Sequence, residues 1–237
     1  MNDRPTCYLS AQAEDALRRV STATLTSQML KRGYRTTFMA GVAPVRPDLR
    51  MVGYAFTLRY VPMREDLDLG PTDNRASIQR IAVESVGPGD VLVIDARGDV
   101  EAGVLGDILS TRMQVRGAVG LVTDGALRDV PPGSDSARAA YCRAAHASQS
   151  AVRHHPADLN VPIGCGSVLV MPGDVVVGDA EGVVVLPRAI AEEVALAALE
   201  QEEIEAFVLE KIRAGASIHG IYPPDEATRA EFAKRRG

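Results

Sequence analysis

Hydrophobic positions recur along this chain with two different periods, and the switches between them mark out the predicted elements. Residues 11–33 carry a helical repeat through Leu17, Val20, Leu25, Met29 and Leu30, with Gly33 as a stop signal. The run MVGYAFTLRYVP (51–62) is rich in β-branched and aromatic residues and predicts a strand. A polar loop follows at 64–73 with Gly70-Pro71 inside it, and a helical period returns over 74–86 through Ile78, Ile81, Ala82 and Ser85. GAVGLVTD (117–124), VPIGCGSVLV (161–170) and GVVVLP (182–187) read as further β segments.

From Ala189 to Ala214 a long amphipathic helix is expected. Val194, Ala197, Ile204, Phe207, Val208, the Lys211 stem and Ile212 line one side, the glutamates crowd elsewhere, and Gly215 ends it. Residues 223–236 predict a short final helix that opens near Pro224 and Asp225.

Two segments echo each other. PGDVLVID (88–95) and PGDVVVGD (172–179) share Pro-Gly-Asp, three apolar residues and a closing aspartate. Pro-Gly suits the centre of a type II turn, because proline fixes φ and glycine supplies φ > 0. Each copy therefore predicts a turn, a buried strand and an aspartate at the strand end, as two similar units of one sheet system. The class is mixed α/β, with helices at both ends and strands in the middle; the pattern leaves strand order open.

Length and composition narrow the picture. With 237 residues and 46% hydrophobic content, one large domain with extensions is expected, its core built from Val, Leu, Ile and Ala because aromatics are 4% and Trp is absent. A formal charge of −5 without any Lys/Arg block argues against nucleic acid or an anionic membrane as partner. Cys7, Cys142 and Cys165 form no CxxC pair and read as free thiols of a reducing compartment. No apolar leader core and no run of 18 apolar residues is present, so a cytoplasmic location is the expectation.

Two stretches carry candidate chemistry. In GVLGDILSTRMQVRG (103–117), Gly106 and Asp107 fall at a helix start, where free N–H groups and the positive dipole end can hold a carboxylate or phosphate. An ordinary aspartate N-cap explains the same residues, and alone it is the favoured reading. In TDGALRDVPPG (123–133), Arg128 and Asp129 follow a strand end. An arginine fork suits a carboxylate or a developing enolate oxygen, and an aspartate can ligate a hard cation such as Mg2+. Taken alone, an exposed turn with a weak ion pair is again favoured. His154-His155 lack partners at ligand spacing and are assigned to a solvated loop. The phosphate-loop, dinucleotide and nucleophile-elbow motifs are absent. Lysine is confined to Lys31, Lys211 and Lys234, on predicted helices near the chain ends, which disfavours Schiff-base chemistry.

GDILS at 106–110, GAVGLVTDGALRD at 117–129, the β region 161–187 and the tail IHGIYPPDEATRAEF (218–232) together resemble the RraA-like family, which holds 4-hydroxy-4-methyl-2-oxoglutarate aldolases and regulators of ribonuclease activity. The likeness spans most of residues 20–232. It implies an α/β swivelling β/β/α domain with a core over about 20–188 and a C-terminal helical extension over about 189–237. It also implies a homotrimer or homohexamer with sites between subunits, and Mg2+ or Mn2+ dependence in the aldolases. Carried over by position, the resemblance implies that the backbone of Gly106, Asp107, Ile108 and Leu109 binds a 2-oxo acid carboxylate. Arg128 stabilises the pyruvate enolate, Asp129 holds the metal with Asp107 at the same site, and Glu181 or Asp179 of a neighbouring subunit completes it.

Ser110 departs from the alanine common in the aldolases. Retention of both Asp107 and Asp129 favours an enzyme: a metal-dependent lyase releasing pyruvate from a 4-hydroxy-2-oxo acid, with oxaloacetate decarboxylation through the same enolate. Two alternatives stay open. One is a non-catalytic regulator that binds a ribonuclease or other protein. The other is a sugar-acid lyase or hydratase whose pocket is shaped by the loop 62–75 through Arg64, Glu65, Asp66 and Asp73.

Overall fold

The computed structural model describes residues 9–68, 73–130 and 139–236. In chain order the elements are α1 (Ala11–Arg19), α2 (Thr22–Lys31), β1 (Ala43–Pro44), β2 (Met51–Pro62), α3 (Glu65–Asp68), α4 (Ile78–Ser85), β3 (Asp90–Asp95), α5 (Asp107–Val115), β4 (Gly120–Thr123), β5 (Ala126–Leu127), β6 (Ala139–Cys142), β7 (Ala144–Ala145), β8 (His154–Leu159), β9 (Ile163–Cys165), β10 (Val168–Val170), β11 (Val175–Gly178), β12 (Val183–Leu186), α6 (Arg188–Arg213) and α7 (Glu226–Arg236).

The main sheet runs β1-β6-β4-β3-β2-β11-β12, with β8 also on β2. Strands β2, β3, β4 and β6 are parallel, whereas β11 and β8 run antiparallel to β2. Strand β2 is long enough to take β3 on one edge and two partners on the other: β11 along Met51–Tyr54 and β8 along Leu58–Pro62.

Alternation along the strands divides the core. Val52, Tyr54, Val175, Val177, Val184 and Leu186 pack under α1, α2 and α6. Phe56, Leu58, Tyr60, Leu92 and Ile94 pack with Val83 of α4 and Met113 of α5. The intervening residues Met51, Ala55, Val91, Val93 and Val176 face the β9-β10 hairpin through Ile163, Cys165, Val168 and Val170. The result is a helix layer, a sheet and a smaller β layer, with period-2 side chains assigning each residue to one face.

The echoed segments clasp β2 from both sides. Gly87 N–H donates to Asp90 Oδ2 (2.8 Å) and Met171 N–H to Asp174 Oδ2 (2.9 Å). Gly89 and Gly173 sit at φ +82° and +84°, as the turns demand. Burial raises the Asp174 carboxyl above its ordinary value, opposed by its backbone donors.

The structure departs from the sequence pattern in four places. The 11–33 helix breaks at Val20-Ser21, because Ser21 Oγ accepts from Thr24 N–H (3.1 Å) and starts a second helix. The 74–86 helix begins only at Ile78, since the Asp73 carbonyl captures Ala76 and Ser77 N–H in a preceding turn. The 161–170 run is a hairpin, with Gly166 and Ser167 both at positive φ. His154-His155 lie in strand β8, not in a loop, and His154 is buried. The sheet edge supplies backbone partners that HHPADL does not advertise by alternation. Gly70-Pro71, Pro131-Pro132 and Cys7 lie outside the described residues. Cys142 and Cys165 are free and buried.

Candidate functional site

The chain after β4 is folded by its own polar groups. Asp124 accepts from Ala96 N–H (2.8 Å) and Gly98 N–H (3.0 Å), tying the ends of β3 and β4 together. Burial holds its carboxyl above the ordinary range. Val104 N–H then donates to the Ala126 carbonyl (2.8 Å) and Arg128 N–H to the Leu105 carbonyl (3.0 Å). These bonds lay residues 126–128 alongside 103–105, so Arg128 and Asp129 meet the start of α5.

That meeting explains two glycines. A Cβ on Gly103 would lie 2.2 Å from Arg128 Cγ and 2.9 Å from Arg128 N, and one on Gly106 would lie 2.6 Å from Asp129 Oδ2. Asp129 itself adopts φ +57°, a strained conformation for a non-glycine residue. Asp107 N–H lies 3.5 Å from Asp129 Oδ2, and Ile108 N–H donates to Asp107 Oδ1 (2.6 Å). Two first-turn donors of α5 are thus already held by the protein's own carboxylates.

Gly106, Asp107, Ile108, Leu109, Arg128 and Asp129 line one cavity of about 680 Å³. Arg128 and Asp129 form no ion pair with each other among the described residues. Arg128 is half-buried, and its Nε is buried without a hydrogen-bond partner among the described residues. Leaving such a donor unmet costs about 1–3 kcal/mol. None of the three lysines lines the cavity.

The same cavity is lined by Asp68 and Gln79, which the sequence pattern does not single out, and by His155, which it assigns to a solvated loop. His155 Nδ1 lies 2.8 Å from Asp68 Oδ1. Gln79 Nε2 donates to Tyr60 Oη (2.8 Å) and to the Val104 carbonyl (2.6 Å). Of the loop residues proposed to shape a pocket, Asp73 lines it, whereas exposed Arg64 and Asp66 pair with each other and Glu65 is also exposed. The His154 ring lies tilted against Tyr60, 5.4 Å between centroids, and also lines the cavity. Arg97 lies 3.2 Å from its Nδ1, and because guanidinium only donates, the imidazole proton is assigned to Nε2. Nε2 has no well-aligned partner.

Burial pulls the His154 pKa below its ordinary 6.5, with Asp99 opposing and Arg97 reinforcing the shift. A lowered base binds protons less well in the folded state. Its stabilisation is therefore complete above the ordinary value and is lost as pH falls below it. Melting temperature should drop between about pH 7 and about pH 5, and the drop should shrink in His154→Gln. Parallel melting curves for the two proteins would contradict this.

Asp179 and Glu181 sit elsewhere. Gly178 pairs with Met51 at the N-terminal end of β2, whereas β3 and β4 run parallel to β2 and deliver Arg128 past their C-terminal ends. Asp179 is buried, accepting from Thr22 N–H and Oγ1 (both 2.8 Å) and from Glu181 N–H (2.9 Å). It anchors the start of α2. Glu181 is exposed, beside a second cavity lined by Leu30, Tyr34 and Phe38.

Residues 21–185 match the family model described as RraA-like, Aldolase/RraA. The chain belongs to the RraA-like family. A relative from Halalkalibacterium halodurans, provisionally named a 4-hydroxy-4-methyl-2-oxoglutarate aldolase, is 33% identical over 159 residues, which are 67% of this chain and 70% of that protein. Streptomyces coelicolor RraAS2, described as an unusual member of the RNase ES inhibitor RraA family, superposes with a TM-score of 0.75 at 32% identity, covering 86% of this chain and 98% of that one. An uncharacterised Pseudomonas syringae protein gives a TM-score of 0.77 at 26% identity, over 91% and 99% of the two chains.

The fold of this RraA-like protein is therefore that of its family, and the family contains both named aldolases and ribonuclease regulators. No helix among the described residues is long and apolar enough to cross a membrane. No cluster of three or more His, Cys, Asp or Glu gathers among them to hold a metal. A magnesium ion needs only one or two protein carboxylates beside water and substrate. Asp107 and Asp129, facing one cavity at the α5 start, meet that smaller requirement.

Proposed function

We propose that this protein is a divalent-metal-dependent lyase that cleaves a 4-hydroxy-2-oxo acid to pyruvate. The observation that carries the reading is the Arg128 Nε donor, buried without a partner among the described residues in a cavity shared with Asp107 and Asp129. A substrate oxygen supplies the missing acceptor.

In this reading the substrate carboxylate lies at the α5 start, near the Leu109 N–H, where the helix dipole favours negative charge. Arg128 donates to the 2-oxo oxygen. As the C3–C4 bond breaks, the C4 hydroxyl gives up its proton and C4 becomes a carbonyl. The bonding pair moves to C3, and the charge of the resulting enolate collects on the oxygen that Arg128 holds. C3 then takes a proton to give pyruvate. Asp129, with Asp107 beside it, would hold Mg2+ or Mn2+ largely through water, and the ion would supply Lewis acidity at the same oxygen. Oxaloacetate decarboxylation would pass through the same enolate. No lysine is required, in keeping with a cavity that contains none.

A homotrimer or homohexamer fits this reading, because Glu181 lies at the opposite end of the sheet from Arg128 and would complete that site only from another copy. The testing experiment is exchange of the pyruvate methyl protons with solvent deuterium, with Mg2+ and with EDTA.

A further inference from the structure

The cavity is much larger than a three-carbon acid needs; about 680 Å³ falls within the range of pockets for drug-sized ligands. A substrate that extends beyond C4 would meet the rest of the cavity lining, which holds two carboxylates beside uncharged polar groups. Both Asp68 oxygens are engaged, by Arg64 N–H and His155 Nδ1, and Asp73 Oδ1 accepts from Arg75 N–H while Oδ2 stays free among the described residues; the two carboxylates make the lining anionic. Gln79 spends its Nε2 on Tyr60 and the Val104 carbonyl, which leaves its Oε1 as the free end. His155 turns Nδ1 to Asp68, which leaves Nε2 as its free ring nitrogen. Acceptors therefore stand beside donors, among them the His154 Nε2–H assigned above and the amides of Asn74 and Gln149. Apart from Arg128, the only guanidinium lining the cavity among the described residues is that of Arg80, which is exposed.

Such a lining suits groups that both donate and accept, and its two carboxylates oppose a second carboxylate on the substrate. A dicarboxylic acid of the kind named for the Halalkalibacterium halodurans relative would set its distal carboxylate against Asp68 and Asp73. Hydroxyl groups meet both the acceptors and the donors without charge repulsion.

We propose that the substrate is a 3-deoxy-2-oxo sugar acid, with its single carboxylate at α5 and its hydroxyl-bearing tail against Asp68, Asp73, Gln79 and His155. This rests on the aldol reading above. The products are pyruvate and a hydroxyaldehyde: C3–C4 breaks, the C4 hydroxyl proton is released as C4 becomes the aldehyde, and C3 gains a proton.

The test compares kcat/KM for pyruvate release from a six-carbon 3-deoxy-2-oxo aldonic acid and from 4-hydroxy-4-methyl-2-oxoglutarate, with Mg2+ present. The sugar acid should win by 10-fold or more, on the order expected when polar groups are matched or left unpaired. Asp73→Arg should shift the ratio toward the dicarboxylate by about 10-fold. Partial loss of folded protein lowers both rates equally, so the ratio still reports specificity. Preference for the dicarboxylate, or a ratio unmoved by Asp73→Arg, overturns the substrate assignment while leaving the aldol reading standing. Release of pyruvate from neither acid, together with no methyl-proton exchange, overturns both.

Discussion

Arg128→Ala is expected to slow deuterium exchange into pyruvate by about 10²–10³-fold, the usual consequence of removing one preorganised donor from an oxyanion. The melting temperature should change little. Among the described residues Arg128 makes no ion pair and its buried Nε has no partner, so the folded state loses an unsatisfied donor along with the side chain. Arg128→Lys should fail to restore the rate, because an ammonium replaces a planar fork with a point charge on a flexible stem. NMR integration of the pyruvate methyl signal, paired with a thermal melt, separates the two effects. A variant that exchanges at the wild-type rate removes Arg128 from the chemistry. One that unfolds makes it a packing residue.

Gly103→Ala should damage both stability and exchange. The added methyl would lie 2.2 Å from Arg128 Cγ, 2.9 Å from Arg128 N and 3.0 Å from the His146 carbonyl, so backbone must move as well as side chain. Overpacking of this kind costs about 1–3 kcal/mol, or roughly 2–12 °C in melting temperature for a chain of this size. Because the displaced atoms belong to Arg128, exchange should fall further than the loss of folded protein explains. Gly164→Ala is the matched control: no atom lies within 4 Å of its added methyl, and its effect should be close to zero. Equal melting temperatures for the two variants would mean that residues 103–105 and 126–128 are not tightly clamped.

Much of this arrangement is visible in the amino-acid order because it is built from local rules. Pro-Gly-Asp announces the turns that clasp β2, and the mixed apolar runs of β3, β4, β11 and β12 are buried as expected. Gly106-Asp107 opens a helix as its spacing suggests. What escaped is what depends on distant partners. Ser21 interrupts the N-terminal repeat through its own cap, with Asp179 reaching Thr22 from a strand far along the chain. His154 and His155 become sheet residues only because the far half of β2 lacks another partner on that edge. The cavity lining assembles Asp68, Gln79 and His155 from three separate elements, and no spacing in one segment signals that meeting. Asp179 shows the same dependence: a strand-end aspartate looks available until the helix it anchors is known.

The most direct test of the central claim, that Arg128 and a divalent ion near Asp129 stabilise an enolate in this cavity, is the exchange experiment itself. Pyruvate in D2O with the protein and Mg2+ should lose its methyl proton signal at a rate proportional to protein concentration, and EDTA should stop the loss. Exchange that continues unchanged in EDTA, or no exchange above the protein-free control, would contradict the account.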